Sequence, residues 1–570
     1  MGRRHIYTAI SSLATLDERI RAFFPPGAIY CCEPERLGTL VERRMRQMSS
    51  GIRSKSDWID SLNDADTRAG WTAEAKAKGL TDVEFAYVLD ELAYYASLNP
   101  SDSNVRISAA DGVWFSDTLI DDKTTIELKD YVTILERIPG RQKDWYPKDR
   151  SRVLNLVDPS LYPLIYGRSK LCRQTSTSPQ AALKLEELEE FPGSLEGWHN
   201  ALNVADDRES DYYLPTGHGR YCTYSSDNFS WLPSEFRVDD NGAVTIESYL
   251  NNLHPVKHAA MYQIIASVFS KFLPLLEQAV TDLVHPLQSR VKLDRDKYYK
   301  SDEPLIDSDD DDYYEEIILW RKRATFVHPQ PEPFVAPARP VIPYKLRGRR
   351  LQAIVKMANI ELTSESPFYG GEDWSVVGLA NERIIATGVF FYDVANIAPS
   401  SMRFREALSS LDIEIEGYDI ESIVKAYGIE QDQLGEEDTV SQELGSVDVK
   451  DGRCVVFPNI HQYKFLELKL ADNTMCGHCK MLTFYFVDPS TRIPSTEIVP
   501  PQQQDWSFEG ILESEPFCRL PQLVVDGIMD IVDFPISLKE AKRLRLQVHQ
   551  DEYCKDDTLE LFEPVALFRA

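Results

Sequence analysis

Between Leu351 and Asp488 the chain carries five segments, Leu351–Leu362, Asn381–Asp393, Arg453–Pro458, Gln462–Leu470 and Lys480–Asp488, most of them rich in Val, Ile, Phe and Tyr. β-Branched and aromatic residues suit a pleated, half-buried surface, so these segments predict strands of an antiparallel sandwich or barrel. Just ahead of them, six prolines fall between His328 and Pro343. Proline fixes φ and lacks an amide donor, which favours extended chain and marks a boundary. At 570 residues the chain exceeds the size at which single cores usually stop growing, so two or three packed regions are expected. The divisions fall at 1–225, mostly helical; 226–327, a strand and helix region with an acidic loop; 328–345, a proline-rich connector; and 346–570, a β-domain with a C-terminal helix.

Upstream, Thr81-x-x-Glu84 spells a capping box ahead of Phe85, Val88, Leu89 and Leu92 at helical spacing. Gly242 to Leu250 reads as turn and strand, after which Pro255 is placed to open a helix. Tyr262, Ile265, Phe269 and Phe272 continue an apolar stripe to Pro274, where a kink or restart is expected. Ser537-x-x-Glu540 opens a late helix with a second box.

The balance of charge narrows the partners. Lys and Arg total 62 against 91 Asp and Glu, a formal charge of -29. Such a chain repels phosphate backbones and anionic lipid, so nucleic acid and membrane surfaces are not expected partners. No apolar leader follows Met1, Ile6 departs from the myristoylation pattern, and no run approaches the ~20 apolar residues of a membrane helix. A cytoplasmic protein with reduced cysteines is the expectation. The acidic block from Asp307 to Glu316, together with the proline segment, offers docking elements for a protein partner. It lacks the Gly and terminal Glu of a calcium loop.

Two motifs look like chemistry and are read otherwise. Cys476-Gly477-His478-Cys479 has the letters of a disulfide-isomerase motif, but Lys480 to Asp488 reads as a strand. Thiol redox work needs the first cysteine at a helix N-terminus, where the dipole lowers its pKa. His254 and His258 have metal-ligand spacing without the intervening Glu of a metalloprotease helix, and His199, His218 and His285 stand alone.

Beyond single motifs, Leu351–Leu362, Gly370-Gly-Glu-Asp-Trp374, Asn381-Glu-Arg383, Phe390-Phe-Tyr-Asp393, Phe457-Pro-Asn459, Val487-Asp-Pro489 and Val499 to Gln503, with Phe229 to Pro233 and Ser248 to Pro255 upstream, recur in one order. Over roughly residues 70–570 the chain resembles a large uncharacterised fungal family whose C-terminal half looks like 2-oxoglutarate- and iron-dependent oxygenases. The resemblance implies an α+β fold: a helical N-terminal region and a C-terminal double-stranded β-helix, of jelly-roll or cupin type. It also implies an Fe(II) site and a 2-oxoglutarate clamp. The family pattern Trp-His-Val-Glu-Gly reads here Trp374-Ser375-Val376-Val377-Gly378, and the later Gln-His-Arg reads Gln462-Tyr463-Lys464.

All three ligand positions, Ser375, Val377 and Tyr463, have thus lost the two-His-one-carboxylate donors that hold Fe(II). The clamp position is Cys479, and Lys480 beside it faces the other way on a strand. A displaced metal site would have to start from Asp373 and His461. The expectation is therefore a ligand-depleted oxygenase relative, without bound iron, that binds a small molecule or acts as an accessory protein in natural-product biosynthesis. One alternative is metal-independent isomerisation, cyclisation or dehydration, with Tyr463 as acid and Ser375 beside it. The other is an acidic scaffold protein.

Overall fold

A computed structural model describes residues 38–98, 104–140, 143–146, 152–172, 178–183, 188–193, 226–284, 290–291, 313–337, 345–409, 420–428, 439–489, 492–512, 515, 517–560 and 563–564. The N-terminal six residues, His199, His218, His285, the acidic run 307–312 and the last prolines of the connector lie outside them. The principal helices are α1 (Leu40–Arg53), α2 (Ala65–Ala77), α3 (Asp82–Ser97), α4 (Asp122–Glu136), α5 (Ala259–Val284) and α6 (Leu538–Glu560). The strands used below are β1 (Arg106–Ile107), β2 (Trp114–Ser116), β3 (Asp144–Trp145), β4 (Val153–Val157), β5 (Ser234–Val238), β6 (Val244–Ile246), β7 (Arg350–Leu362), β8 (Ile384–Ala395), β9 (Ser401–Ser409), β10 (Thr439–Asp448), β11 (Cys454–Pro458), β12 (Gln462–Phe465), β13 (Gly477–Val487) and β14 (Glu563–Pro564).

The long apolar strands pair antiparallel at the centre. β13 lies between β7, in register from Ala353 opposite Phe486 to Leu362 opposite Gly477, and β8. The full ten-stranded sheet runs β1-β2-β11-β8-β13-β7-β4-β3, with β5 also on β7 and β6 on β5. A separate four-stranded sheet runs β12-β9-β10-β14. The expected double-stranded β-helix is not formed. The large sheet's path ends at β1 and β3, which do not pair, and no sheet among the described residues closes or curls into a jelly-roll or cupin barrel. The physical reason is that short strands from residues 106–157 bind the outer edges of β11 and β7, extending the sheet sideways where a barrel would close. The N-terminal region is accordingly mixed: helices over Leu40–Ser97 and Asp122–Glu136, and strands that belong to the main sheet.

Side chains alternate across the strands, so the sheet has two apolar faces. On the first, Ala353, Val355 and Met357 of β7 and Leu482, Phe484 and Phe486 of β13 pack against α5. Phe269 and Phe272 of α5 meet Phe484 edge to face at 5.1 and 5.5 Å. By length and composition α5 is apolar enough to cross a membrane, contrary to the expectation that no such run exists, because its few charges are widely spread. Here it is a core helix, and burial carries it through Pro274 without a break. It starts at Ala259, leaving Pro255 in the preceding turn.

On the second face, Ile360 of β7, Cys479 and Met481 of β13, Val389 and Phe391 of β8 and Val455 and Phe457 of β11 join Met402, Phe404, Leu444 and Val447 of the smaller sheet in one cluster. At one end of this face α6 lays Ala541, Leu544 and Val548 over Ile354, Val377, Ile384 and Tyr485.

Both capping motifs act locally as their chemistry dictates. Thr81 and Glu84 exchange hydrogen bonds at the start of α3, and the Ser537 hydroxyl accepts from the Glu540 amide at the start of α6. The described part of the proline segment lies along α3. Phe334 meets Tyr87 at 5.3 Å, and the Gln330 amide donates to Glu84 at 2.9 Å.

Candidate functional site

The segment 374–378 approaches β12 as an isolated antiparallel bridge between Ser375 and Tyr463. The Ser375 amide donates to the Tyr463 carbonyl at 3.1 Å and the Tyr463 amide returns the bond at 3.0 Å. Two residues on, Val377 is clamped by Asn459, whose side chain accepts from the Val377 amide (3.1 Å) and donates to its carbonyl (2.9 Å). The three positions aligned with the oxygenase ligands therefore do gather at one place. Val377 is buried among Leu161, Trp231, Ile354 and Ile384. The Tyr463 ring packs on Phe457 at 4.9 Å and touches both clusters of the inner face.

Opposite them the large sheet offers Lys356, Thr483, Thr387 and Tyr485. Lys356 pairs with Thr483, and Tyr485 with Ile354 on one side and Thr387 on the other, so all four share the inner face. The Thr387 hydroxyl is buried without a hydrogen-bond partner. Lys356, Ser375 and Tyr463 keep partial solvent contact, whereas Val355, Met357, Val376 and Gln462 beside them are buried. Trp374 stands on the other side of the bridge, with the Arg405 guanidinium 4.5 Å and the Lys464 ammonium 4.8 Å from its ring.

Behind Lys356 lies a buried charge network. Asp158 accepts from Arg545 (2.8 Å), Asn155 (3.3 Å) and the Ser160 amide (3.0 Å). Arg545 also holds Asp144, and the Tyr146 hydroxyl meets His549 at 3.0 Å. Desolvation favours the neutral acid of Asp158, but Lys356, Arg545 and His549 together hold its carboxyl below the usual range. For Lys356 desolvation pulls down, and the fields of Asp158, Glu372, Tyr463 and Tyr146 more than offset it, so the ammonium stays charged.

The other residues singled out in the sequence disperse. Asp373 is exposed. His461 is buried, its Nε2 3.2 Å from the Asp111 carbonyl and its Nδ1 3.9 Å from Glu406. Cys479 lies in the inner-face core, where burial, then Asp393 and Asp451, push its thiol up to about 12. Lys480 turns outward to Glu136 of α4 at 2.7 Å. The CGHC residues straddle the start of β13, with no helix to lower a thiol pKa. His254 is occupied as well: its Nδ1 accepts from the Val256 and Lys257 amides, both at 3.2 Å.

Fe(II) with 2-oxoglutarate, the pair implied by the oxygenase resemblance, does not fit these residues. Val377 has no donor atom, and the hydroxyls of Ser375 and Tyr463 do not replace two imidazoles and a carboxylate. Among the described residues, no group of three or more His, Cys, Asp or Glu is placed to hold a metal ion.

A family model described as a protein of unknown function, DUF4246, matches residues 82–510. The chain belongs to the DUF4246 family. No curated protein matches the sequence. Among solved structures, a bsmA homolog from Methylobium petroleophilum PM1 is 9% identical, with a TM-score of 0.15. That match covers 25% of this chain and 42% of the other, so the chain spans less than half of that relative. The Fe(II)/α-ketoglutarate-dependent dioxygenase TqaL is 9% identical, with 67% of this chain and 96% of that one covered and a TM-score of 0.19. Scores this low carry no argument about the fold or the chemistry.

The DUF4246 match takes in Lys356, Ser375 and Tyr463 and ends before α6, which supplies Arg545 and His549. Lys356 and Asp158 were not picked out from sequence. One signal was present: Lys356 is the single cation inside the apolar run Leu351–Leu362. A charge at such a position either faces water or a partner, and only the pairing of β7 with β4 and β13 shows which.

Proposed function

We propose that this DUF4246 chain binds a small organic molecule between its two sheets, beside Lys356, Ser375 and Tyr463, and does so without an iron centre. The observation that carries the reading is the set of half-buried polar side chains, Lys356, Ser375 and Tyr463, collected on facing surfaces whose surroundings are apolar. Small-molecule sites are typically apolar clefts with a few convergent polar groups. The loss of donors at Ser375, Val377 and Tyr463 argues against ordinary iron-dependent hydroxylation.

The test uses the full chain. Iron titration with elemental analysis should show no stoichiometric uptake. Screening neutral aromatic and aliphatic probes by calorimetry should give saturable binding that Ser375→Trp, which adds bulk among these side chains, abolishes. Stoichiometric iron together with oxygen-dependent consumption of 2-oxoglutarate would overturn the reading.

A further inference from the structure

We infer that the groove between α4 and α5 is a docking surface for an amphipathic helix of a partner protein, one that lays apolar side chains into the groove and carries Lys or Arg along the edge facing α4. The inference is independent of the small-molecule reading above. The two helices run antiparallel. Asp121, just ahead of α4, pairs with Lys271 in the middle of α5, and the Tyr131 hydroxyl of α4 donates to the Lys257 carbonyl just ahead of α5 at 3.4 Å. Between them lies a groove of about 440 Å³.

α4 lines the groove with Glu127, Asp130, Tyr131 and Ile134, and α5 does so with residues that include Ala260 and Ile264. Positions three and four apart share a helix face, so each helix turns one continuous stripe to the groove. The stripe on α4 is ~10 Å long, about two turns. A third helix laid in that trough meets both walls with side chains at i, i+3 or i+4, and i+7. A small molecule is a poorer match, because such ligands are buried by roughly 70–90%. Here Glu127, Asp130, Ile134 and Ala260 are all exposed, Ile134 to 51%, and the groove is open to solvent. α5 is apolar enough for a fully covered helix, yet only 56% of its most apolar stretch is buried.

Charge selects the partner. The carboxylates of Glu127 and Asp130 stand on the α4 wall, α5 carries no charged side chain from Ala259 to Ser270, and among the described residues no cation lines the groove. The cations around it are accounted for. Lys129 holds Asp393 of β8 at 2.9 Å, Lys257 holds Glu509 at 2.8 Å, and Lys271 holds Asp121. His258 faces the Tyr131 hydroxyl at 3.3 Å. Lys123 reaches Glu127 only at 3.8 Å with both side chains exposed, a pair that contributes little. Arg137 lies past the last residue of α4, and Asp130 has no ion pair among the described residues. A basic edge on the incoming helix therefore meets acid where its apolar stripe meets Tyr131, Ile134 and Ile264, and an acidic edge is repelled. The same carboxylates disfavour an anionic lipid surface.

The experiment titrates the full chain with a synthetic amphipathic peptide of about 20 residues, long enough to hold a helix. Its Leu residues are spaced for one face, with Lys along one edge, and its control has Glu in place of each Lys. Fluorescence anisotropy at physiological salt should show saturable one-to-one binding of the Lys peptide and at least ten-fold weaker binding of the Glu peptide. Ile134→Gln and Ile264→Gln, which leave the charge unchanged, should each weaken the Lys peptide at least ten-fold with the fold intact by circular dichroism. Glu127→Lys with Asp130→Lys should reverse the preference between the two peptides. No saturable binding, or equal binding of the Lys peptide by all these variants, would overturn the site. Loss in the Gln variants with no response to the charge reversal would overturn the basic partner. Phenethylammonium binding that displaces the peptide and responds to the same variants would make the occupant a small molecule and overturn the helix. So would a dimer in sedimentation that Ile134→Gln dissolves, which would make the occupant a second copy of this chain.

Discussion

His254 shows how one side chain can be spent on structure. Its Nδ1 accepts two backbone amides in the turn before α5, as an Asn or Asp N-cap oxygen would. Only the neutral ring can do this, and desolvation, then Lys257, lower its pKa below the ordinary value. The unfolded chain therefore takes up the proton first as pH falls below ~6.5, so this contribution to stability is whole above that pH and shrinks beneath it. His254→Asn should keep the cap and flatten the fall in Tm between pH 7.5 and 5.5. His254→Ala should cost about 1 kcal/mol at neutral pH. An Asn variant with the wild-type slope would dismiss the capping role. At the aligned ligand positions the chemistry is equally local: Val377 is 7% exposed in an apolar cluster. Putting a carboxylate there, Val377→Asp, is expected to destabilise by several kcal/mol. Even combined with Ser375→His and Tyr463→His it should melt the fold earlier without binding stoichiometric iron, read by circular dichroism and metal analysis.

Among elements, the packing of α5 on the sheet depends on a missing side chain. Gly388 of β8 lies under Phe272, and a Cβ placed there would meet two ring carbons at 3.0 Å. Gly388→Ala should destabilise by about 1–3 kcal/mol through overpacking, and Phe272→Leu in the same chain should recover part of the loss in urea unfolding. If the double variant merely adds the two single costs, the steric account is wrong. The five segments named between Leu351 and Asp488 were legible because β-branched and aromatic runs of that length have few other uses, and the capping boxes because they are local, whereas β9 and β10 of the smaller sheet, richer in Ser, Glu and Arg, were not picked out. Closure was not legible. Whether antiparallel strands close depends on what occupies the outermost edges, and here β2 and β4 do so from residues 114–157. Strands of three and five residues carry too little periodicity to be read in a sequence. Lys356 escaped for a related reason: its face is set by pairing across hundreds of residues, whereas Ser375, Val377 and Tyr463 were found by their place in motifs.

For the molecule as a whole, a formal charge of -29 describes the surface and says little about the interior. The interior is knitted by paired charges that composition cannot reveal. Asp111, in the turn between β1 and β2, takes Arg53 of α1 at 2.5 Å and Arg290 at 2.9 Å, while Arg290 also binds Glu91 of α3 at 2.7 Å. One carboxylate thus ties α1, the edge of the large sheet and the chain after α5, and Arg290 brings in α3. Burial alone would favour the neutral acid, but Arg290, Arg53 and Arg46 outweigh it and hold the Asp111 carboxyl well below the ordinary range. Removing one partner of such a set leaves the others charged and buried, a loss of about 3–5 kcal/mol. Asp111→Asn should therefore lower denaturant stability at pH 7 by that order. Because the folded pKa is depressed, the wild-type advantage is complete above ~3.9 and is lost only as pH falls through the folded value. The gap between wild type and Asp111→Asn should accordingly be constant from pH 7 to 5 and narrow in strong acid. A gap that narrows near neutrality would mean that some group other than this carboxylate holds the two helices to the sheet.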